Sequence, residues 1–162
     1  MAVDKRILEY LDDNDVDYEV YSHPKVYRTV EEARELGVDV DEIAKCLVVT
    51  SHGDRSLIVV PGGHRISNDK IRDATGNKHS RLETEDEMSE EFFNWELGAI
   101  PPLGDIFDVP VYVDKSLIGH ETVLFTAGSH TDSIKMNTAD FINLIRPDIV
   151  DLSEEEDQRW SA

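Results

Sequence analysis

The chain has 162 residues, one domain's worth, and 40% of them are hydrophobic, which suits a folded core and excludes a disordered polymer. It carries 35 acidic against 16 basic residues, a net charge of −19 with no basic stripe, so the electrostatic footprint of a nucleic-acid binder is missing. No apolar run approaches the roughly 20 residues that cross a bilayer, MAVDKRILEY has no apolar leader segment, and the single cysteine, Cys46, rules out an internal disulfide and points to a reducing, cytoplasmic setting.

The acidity is dispersed from end to end and not clustered. That pattern fits a salt-loving host, because in molar salt the Debye length falls to about 3 Å and dispersed acidity serves solubility.

In chain order, DKRILEYLDD (4–13) sets Ile7, Leu8 and Leu11 on one helical face. VDYEVYSH (16–23) alternates as a strand and stops at Pro24. Thr29 followed by Glu32 predicts a capping box opening a helix over TVEEAREL (29–36), with Gly37 beyond its end. Asp39 caps a short turn. KCLVVTS (45–51) and SLIVVP (56–61) read as antiparallel strands around the tight turn HGDR, and their near-continuous apolar character places them centrally in a sheet.

Ser67 caps a helix over 67–76, HSRL is briefly extended, and Thr84 with Glu87 makes a second capping box for a helix over 84–93. WELGAIPPLGDIF (95–107) is too rich in glycine and proline for helix or regular strand. PVYVD (110–114), TVLFTA (122–127) and SIKMN (133–137) are strands, the last two joined by the turn GSHTD, and Thr138 caps a helix over 139–145. The layout is α+β: one domain over 1–150 with a mixed, largely closed, barrel-like sheet of six or seven strands and helices around it, then a loosely held acidic tail over 151–162.

Chemistry has few obvious carriers. The histidines at 23, 52, 64, 79, 120 and 130 show no ligand spacing with one another or with Cys46, so neither metal nor cofactor is expected. Phosphate-binding glycine motifs and a serine-nucleophile elbow are missing from the sequence. Cys46 follows Lys45 on a strand, where neighbours face opposite ways, so it reads as a small buried apolar residue. Lys45 taken alone reads as a strand-end lysine reaching water. In GAIPPLG (98–104), Gly98 and Gly104 offer backbone freedom while Pro101 and Pro102 stiffen the path, a combination able to aim backbone N–H groups at an oxyanion. In AGSHT (127–131), Gly128 permits a sharp turn, and His130 is either exposed there or turned toward a pocket mouth.

Five stretches in order resemble the YbaK/ProRS-associated domain family of free-standing aminoacyl-tRNA deacylases, relatives of the editing insertion of bacterial prolyl-tRNA synthetase. They are YEVYSHPKVYRTVEEARELGV (18–38), DEIAKCLVV (41–49), LIVVPGGHRIS (57–67), GAIPPLGDIFDVPVYVD (98–114) and VLFTAGSHTDSIKMNTADF (123–141), so the resemblance runs from about residue 5 to 146. It implies trans-editing: hydrolysis of the ester between a wrong amino acid and the terminal ribose of a tRNA, with alanine, cysteine and serine among the amino acids that members remove. It implies Lys45 and Gly98 as catalytic positions, and Thr29, Ala99, Ile100, Pro102, Gly128, Ser129 and His130 as substrate-binding positions.

On that resemblance, N–H groups around Gly98 hold the ester carbonyl and its developing oxyanion, and Lys45 positions the terminal adenosine. Water attacks with help from the substrate's own ribose hydroxyl. The implied partners are aminoacyl-tRNA and an aminoacyl-tRNA synthetase, with no membrane. Pro101 departs from the family's small polar residue and has no N–H to give. Two other readings stay open: a binding module of the same fold that has lost turnover, and a hydrolase of small esters.

Overall fold

The computed structural model describes residues 4–26, 28–84, 87 and 100–155. Helices α1 (Lys5–Asp13), α2 (Thr29–Leu36), α3 (Asn68–Thr75), α4 (Gly104–Phe107) and α5 (Thr138–Ile145) accompany ten strands among these residues. The strands are β1 (Glu19–Ser22), β2 (Ala44–Ser51), β3 (Asp54–Pro61), β4 (His64–Ile66), β5 (Arg81–Leu82), β6 (Val111–Asp114), β7 (Thr122–Thr126), β8 (Asp132–Asn137), β9 (Asp148–Val150) and β10 (Ser153–Glu155).

They form three sheets and not one: β5-β2-β3-β6-β9, β1-β8-β7 and β10-β4. The α+β class holds. The strands do not form the single sheet of six or seven that was expected, and no closed barrel is found among the described residues. Among the described residues, an isolated parallel bridge links Ile43, just before β2, to Leu124 of β7 at the seam between the two larger sheets.

β2 and β3 pair in register from Ala44–Pro61 to Ser51–Asp54, around the two-residue turn His52-Gly53. Their alternation divides the interior. Ala44, Val48, Leu57 and Val59 face the main core with Ile7 and Leu11 of α1 and Phe141 of α5. Val49, Ile58 and Val60 face a second cluster with Ile71 and Leu152. A strand pair covered on both faces needs apolar residues at nearly every position, which is the pattern in the sequence. In the main core, the rings of Phe125 and Phe141 lie 5.7 Å apart, within the range of favourable aromatic pairs.

Several local readings change. Helix α2 spans the predicted residues, but the carboxylate that accepts the Arg28 N–H is that of Glu31, at 3.1 Å; Glu32 is buried elsewhere. Helix α5 begins at Thr138, and its cap is Asn137, whose side chain accepts the Ala139 N–H at 2.9 Å. Gly104 opens the short helix α4 inside the stretch expected to be irregular. Its requirement is space and not a left-handed backbone: a Cβ there would lie 2.4 Å from the Val109 carbonyl oxygen. Thr84 and Glu87 do exchange the expected pair of bonds, at 3.0 and 3.3 Å, but most of 84–93 lies outside the described residues.

The acidic end is not loosely held through 155. β10 pairs with β4, and Leu152 is fully buried. Asp114 accepts the Leu152 N–H at 2.7 Å and the Ser116 N–H at 3.1 Å, and it also accepts the Ser116 hydroxyl. Burial opposes ionisation of Asp114, but the bonds from Ser116 and Leu152 outweigh it and hold the carboxyl below its usual range.

Leu152→Ala is therefore expected to cost about 2–5 kcal/mol in urea unfolding, the range for emptying a buried leucine site. A lowered native pKa gives stability that is present above the unfolded carboxylate range and lost as pH falls through the native value. Asp114→Asn should accordingly flatten the acid side of the stability–pH curve, read by thermal unfolding between neutral and acid pH.

Candidate functional site

Beyond the Ile43–Leu124 bridge, a cleft of about 330 Å³ opens at the seam between the two larger sheets. Arg28, the N-cap of α2, lines it with Thr29 and Glu32 from α2, Ala44 to Leu47 from β2, and Thr126 from β7. The sequence places Lys45 here because Ala44 and Cys46, on either side of it, turn toward the main core.

Lys45 is half-buried, and its Nζ donates to the His64 carbonyl at 3.1 Å. That carbonyl is itself fixed. The His64 ring is buried, with Nδ1 3.0 Å from Ser153 Oγ and Nε2 3.9 Å from Asp41. Asp41 also accepts the Gly63 N–H at 3.0 Å, and Thr29 Oγ1 donates to the Gly62 carbonyl at 3.3 Å. The lysine of the cleft thus leans on a turn that α2, the segment around Asp41 and β10 hold together. Thr29 lines the cleft, while its hydroxyl holds that turn.

The 128–131 turn is built around Asp132, which is 2% exposed and accepts hydroxyls from Ser22, Ser129 and Thr131 at 3.0, 2.9 and 2.9 Å. Gly128 sits at φ +87°, the sharp turn the sequence predicted. Ser129 Oγ is engaged inside this turn. His130 is buried at 6% exposure, so it is not a solvent-facing turn residue; its carbonyl accepts the Val26 N–H at 3.1 Å, and its ring acts electrostatically on Glu32.

Of the predicted loop, Gly98 and Ala99 lie outside the described residues. Ile100, Pro101 and Pro102 are buried, Ile100 within the main core, and none of the three lines the cleft. The structure therefore brings together Lys45 and Thr29, with His130 near Glu32, and sets Ile100 and Pro102 into packing.

The residue that sequence reasoning missed is Glu32. It is 2% exposed, lines the cleft, and its Oε2 accepts a short hydrogen bond from Ser133 Oγ. Burial raises its carboxyl above the usual range, and the Ser133 bond and the potentials of His23 and His130 offset that only in part. Its spacing from Thr29 matched a capping box and hid it. The available signal was its position beside Ala33 on the buried face of α2.

Cys46 has the surroundings of a packing residue and not of an activated nucleophile. The residue is half-buried as a whole, but it packs against the main core, and burial pushes the thiol up to about 12, which leaves no reactive thiolate near neutrality. Among the described residues there is no group of three or more His, Cys, Asp or Glu placed to hold a metal ion, and no helix long and apolar enough to cross a membrane.

A sequence model described as an aminoacyl-tRNA editing domain matches residues 23–144 of the chain. A Bacillus subtilis protein, the uncharacterized YwhH, is 36% identical over 110 residues, which is 67% of this chain and 69% of the Bacillus protein. The proline–tRNA ligase of Shouchella clausii is 35% identical over 97 residues, 59% of this chain but 17% of that enzyme. A crystal structure described as a candidate trans-editing enzyme for prolyl-tRNA synthetase superposes with a TM-score of 0.82 at 25% identity, covering 93% of this chain and 96% of its own. The hypothetical protein APE2540 shares the fold with a TM-score of 0.85 at 21% identity, covering 93% and 100%. These matches bear out the resemblance read from the five sequence stretches.

Iodoacetamide at pH 8 should leave Cys46 unmodified in the folded protein and alkylate it fully in denaturant. Intact mass after equal exposure checks this, and rapid labelling of the native protein would show that the thiol is not held by burial.

Proposed function

The chain belongs to the aminoacyl-tRNA editing domain family, and from that premise we propose that it hydrolyses the ester of a mischarged aminoacyl-tRNA in trans. The observation that carries the reading is Lys45. Its ammonium stands in a cleft large enough for an aminoacyl group, where Nζ donates to the His64 carbonyl at 3.1 Å. An ammonium so held can take the phosphate or ribose oxygens of the terminal adenosine. Arg28 at the same cleft adds a second cation for the entering strand.

In this reading the 3′ end lies against Arg28 and Lys45, and the aminoacyl group passes into the seam between the sheets. The resemblance assigns the donors to the ester carbonyl to the 98–102 segment, in which Ile100 and Pro102 are packed away from this cleft. Neither proline of that segment can donate, so any donor within it is Gly98, Ala99 or Ile100. Such a donor typically contributes about 10²–10³ in rate. Discrimination rests on the size of the pocket, and one methylene is worth only about 1–3 kcal/mol, so the enzyme is a permissive editor. The site faces the tRNA Pro system through its relatives, and alanine or cysteine is the class of amino acid removed.

Lys45→Ala should abolish deacylation across a panel of mischarged tRNAs while leaving circular dichroism and the melting temperature unchanged. With two cations meeting a single-stranded end, log affinity should fall with log salt at a slope of about −1.4, from about 0.7 per neutralised phosphate. Full turnover by the Lys45→Ala protein would remove the reading. Tight binding with no turnover by the parent protein would favour the binding module.

A further inference from the structure

Pro24 offers its carbonyl oxygen to His23 Nδ1 at 2.8 Å, and a carbonyl only accepts, so Nδ1 carries a hydrogen. His23 Nε2 lies 2.9 Å from Ser133 Oγ, and the same oxygen bonds Glu32 Oε2. Ser133 has one hydrogen to give. With Glu32 ionised and His23 protonated on Nδ1 alone, that one hydrogen would face two acceptors, and one of the two contacts would set lone pair against lone pair.

Both contacts are satisfied only when the chain of three groups holds one further proton. Placed on Nε2, it gives an imidazolium donating to Ser133 and Ser133 donating to a carboxylate. Placed on Glu32, it gives a carboxylic acid donating to Ser133 and Ser133 donating to a neutral ring. The two arrangements interconvert by moving two hydrogens by one link each, with every heavy atom in place.

The ends of this chain differ in exposure. Glu32 is buried and lines the cleft, while His23 is half-exposed at the end of β1. We propose that Glu32, Ser133 and His23 form a proton relay joining the cleft wall to solvent, in which Glu32 is the general base and then the general acid of the reaction at Lys45. The chemistry rests on the deacylase reading.

As a water oxygen bonds to the ester carbon, one of its protons passes to the Glu32 carboxylate. When the bond to the ribose oxygen breaks, that proton moves from Glu32 to the ribose oxygen. The products are the tRNA with a free hydroxyl and the amino acid, whose carboxylic proton leaves to solvent.

Burial raises the Glu32 carboxyl above its usual range, and the surrounding charges and the Ser133 bond oppose that only in part. His130 acts on Glu32 from the β7–β8 turn, and Lys45 and Arg28 share its cleft from β2 and the start of α2. The nearby acids are engaged elsewhere: Glu31 by the Arg28 N–H, and Asp132, next to Ser133 on β8, by three hydroxyls. The burial of Glu32 agrees with this role, since a buried carboxyl in a cleft is the environment that suits proton transfer near neutral pH.

Two measurements test the relay, the first without substrate. In NMR of the whole chain, the His23 ring nitrogens and the Glu32 carboxyl carbon should move together in the same pH steps, as coupled groups do. In Ser133→Ala, which leaves both ends in place, they should titrate separately. Independent titration in the parent protein overturns the relay whatever the activity.

The second measurement is the pH profile of deacylation. Glu32→Gln should lower kcat by about 10²–10⁴, the usual worth of a positioned acid–base group, and remove the acid limb of kcat/KM. Ser133→Ala should lower kcat with KM unchanged. An acid limb retained in Glu32→Gln overturns the relay. A parent protein inactive on every aminoacyl-tRNA overturns the deacylase reading instead, and the titration still decides whether the three groups share a proton.

Discussion

The β2–β3 hairpin is buried on both faces, and the position of everything at the cleft follows from that. A strand covered on two sides has no solvent face on which to leave a charge. Lys45 is tolerated only because it lies at the start of β2, where the second sheet has separated from the first and a single backbone bridge holds the seam. One residue later Cys46 turns into the main core, and two residues before it Ile43 is fully enclosed. Had β2 and β7 paired along their whole length, the two larger sheets would be joined there and the cleft would be a row of ladder hydrogen bonds. The seam between the two larger sheets is also where the cleft opens.

Much of this was legible in the sequence because it depends on period and on caps. The nearly all-apolar runs 45–51 and 56–61 read as central strands, and they are. Ser67 and Gly76 bound α3 as read. Lys45 was legible only by likeness, since an isolated lysine at a strand end carries no signal of its own. What failed was of another kind. Sheet closure depends on whether two strands more than seventy residues apart in the chain pair fully or at one point, and no local pattern encodes that. The tail over 151–155 looked solvated because it is acidic, but its one leucine, Leu152, fills the second cluster, and the Asp114 carboxyl takes that leucine's N–H.

The net charge of −19 bears on how a polyanion could reach this surface. Several basic side chains are committed to internal pairs: Arg65 to Glu154 at 3.0 Å, Lys70 to Asp151 at 3.2 Å, and Arg81 to Glu87 through two bonds of 2.7 and 2.9 Å. Exposed pairs of this kind add little stability, but they remove positive charge from the surface at large. Long-range attraction of a nucleic acid is then weak, and recognition falls to short-range contacts at the cleft. That suits a substrate whose distinguishing feature is its last nucleotide and not its helix.

Glu32 shows how two adjacent acids on one helix divide their work. At the start of α2 the backbone needs an acceptor, and Glu31 provides it. One residue on, the helix turns inward, where Ala33 is buried and Leu36 half-buried. An apolar side chain at 32 would complete that face without the cost of desolvating a carboxylate, so packing gives no reason for an acid there. The carboxylate is instead matched by a hydroxyl from β8 and an imidazole beyond β1, on elements of the other sheet. Its environment joins α2 to the sheet that carries β8, beside the cleft that Lys45 lines.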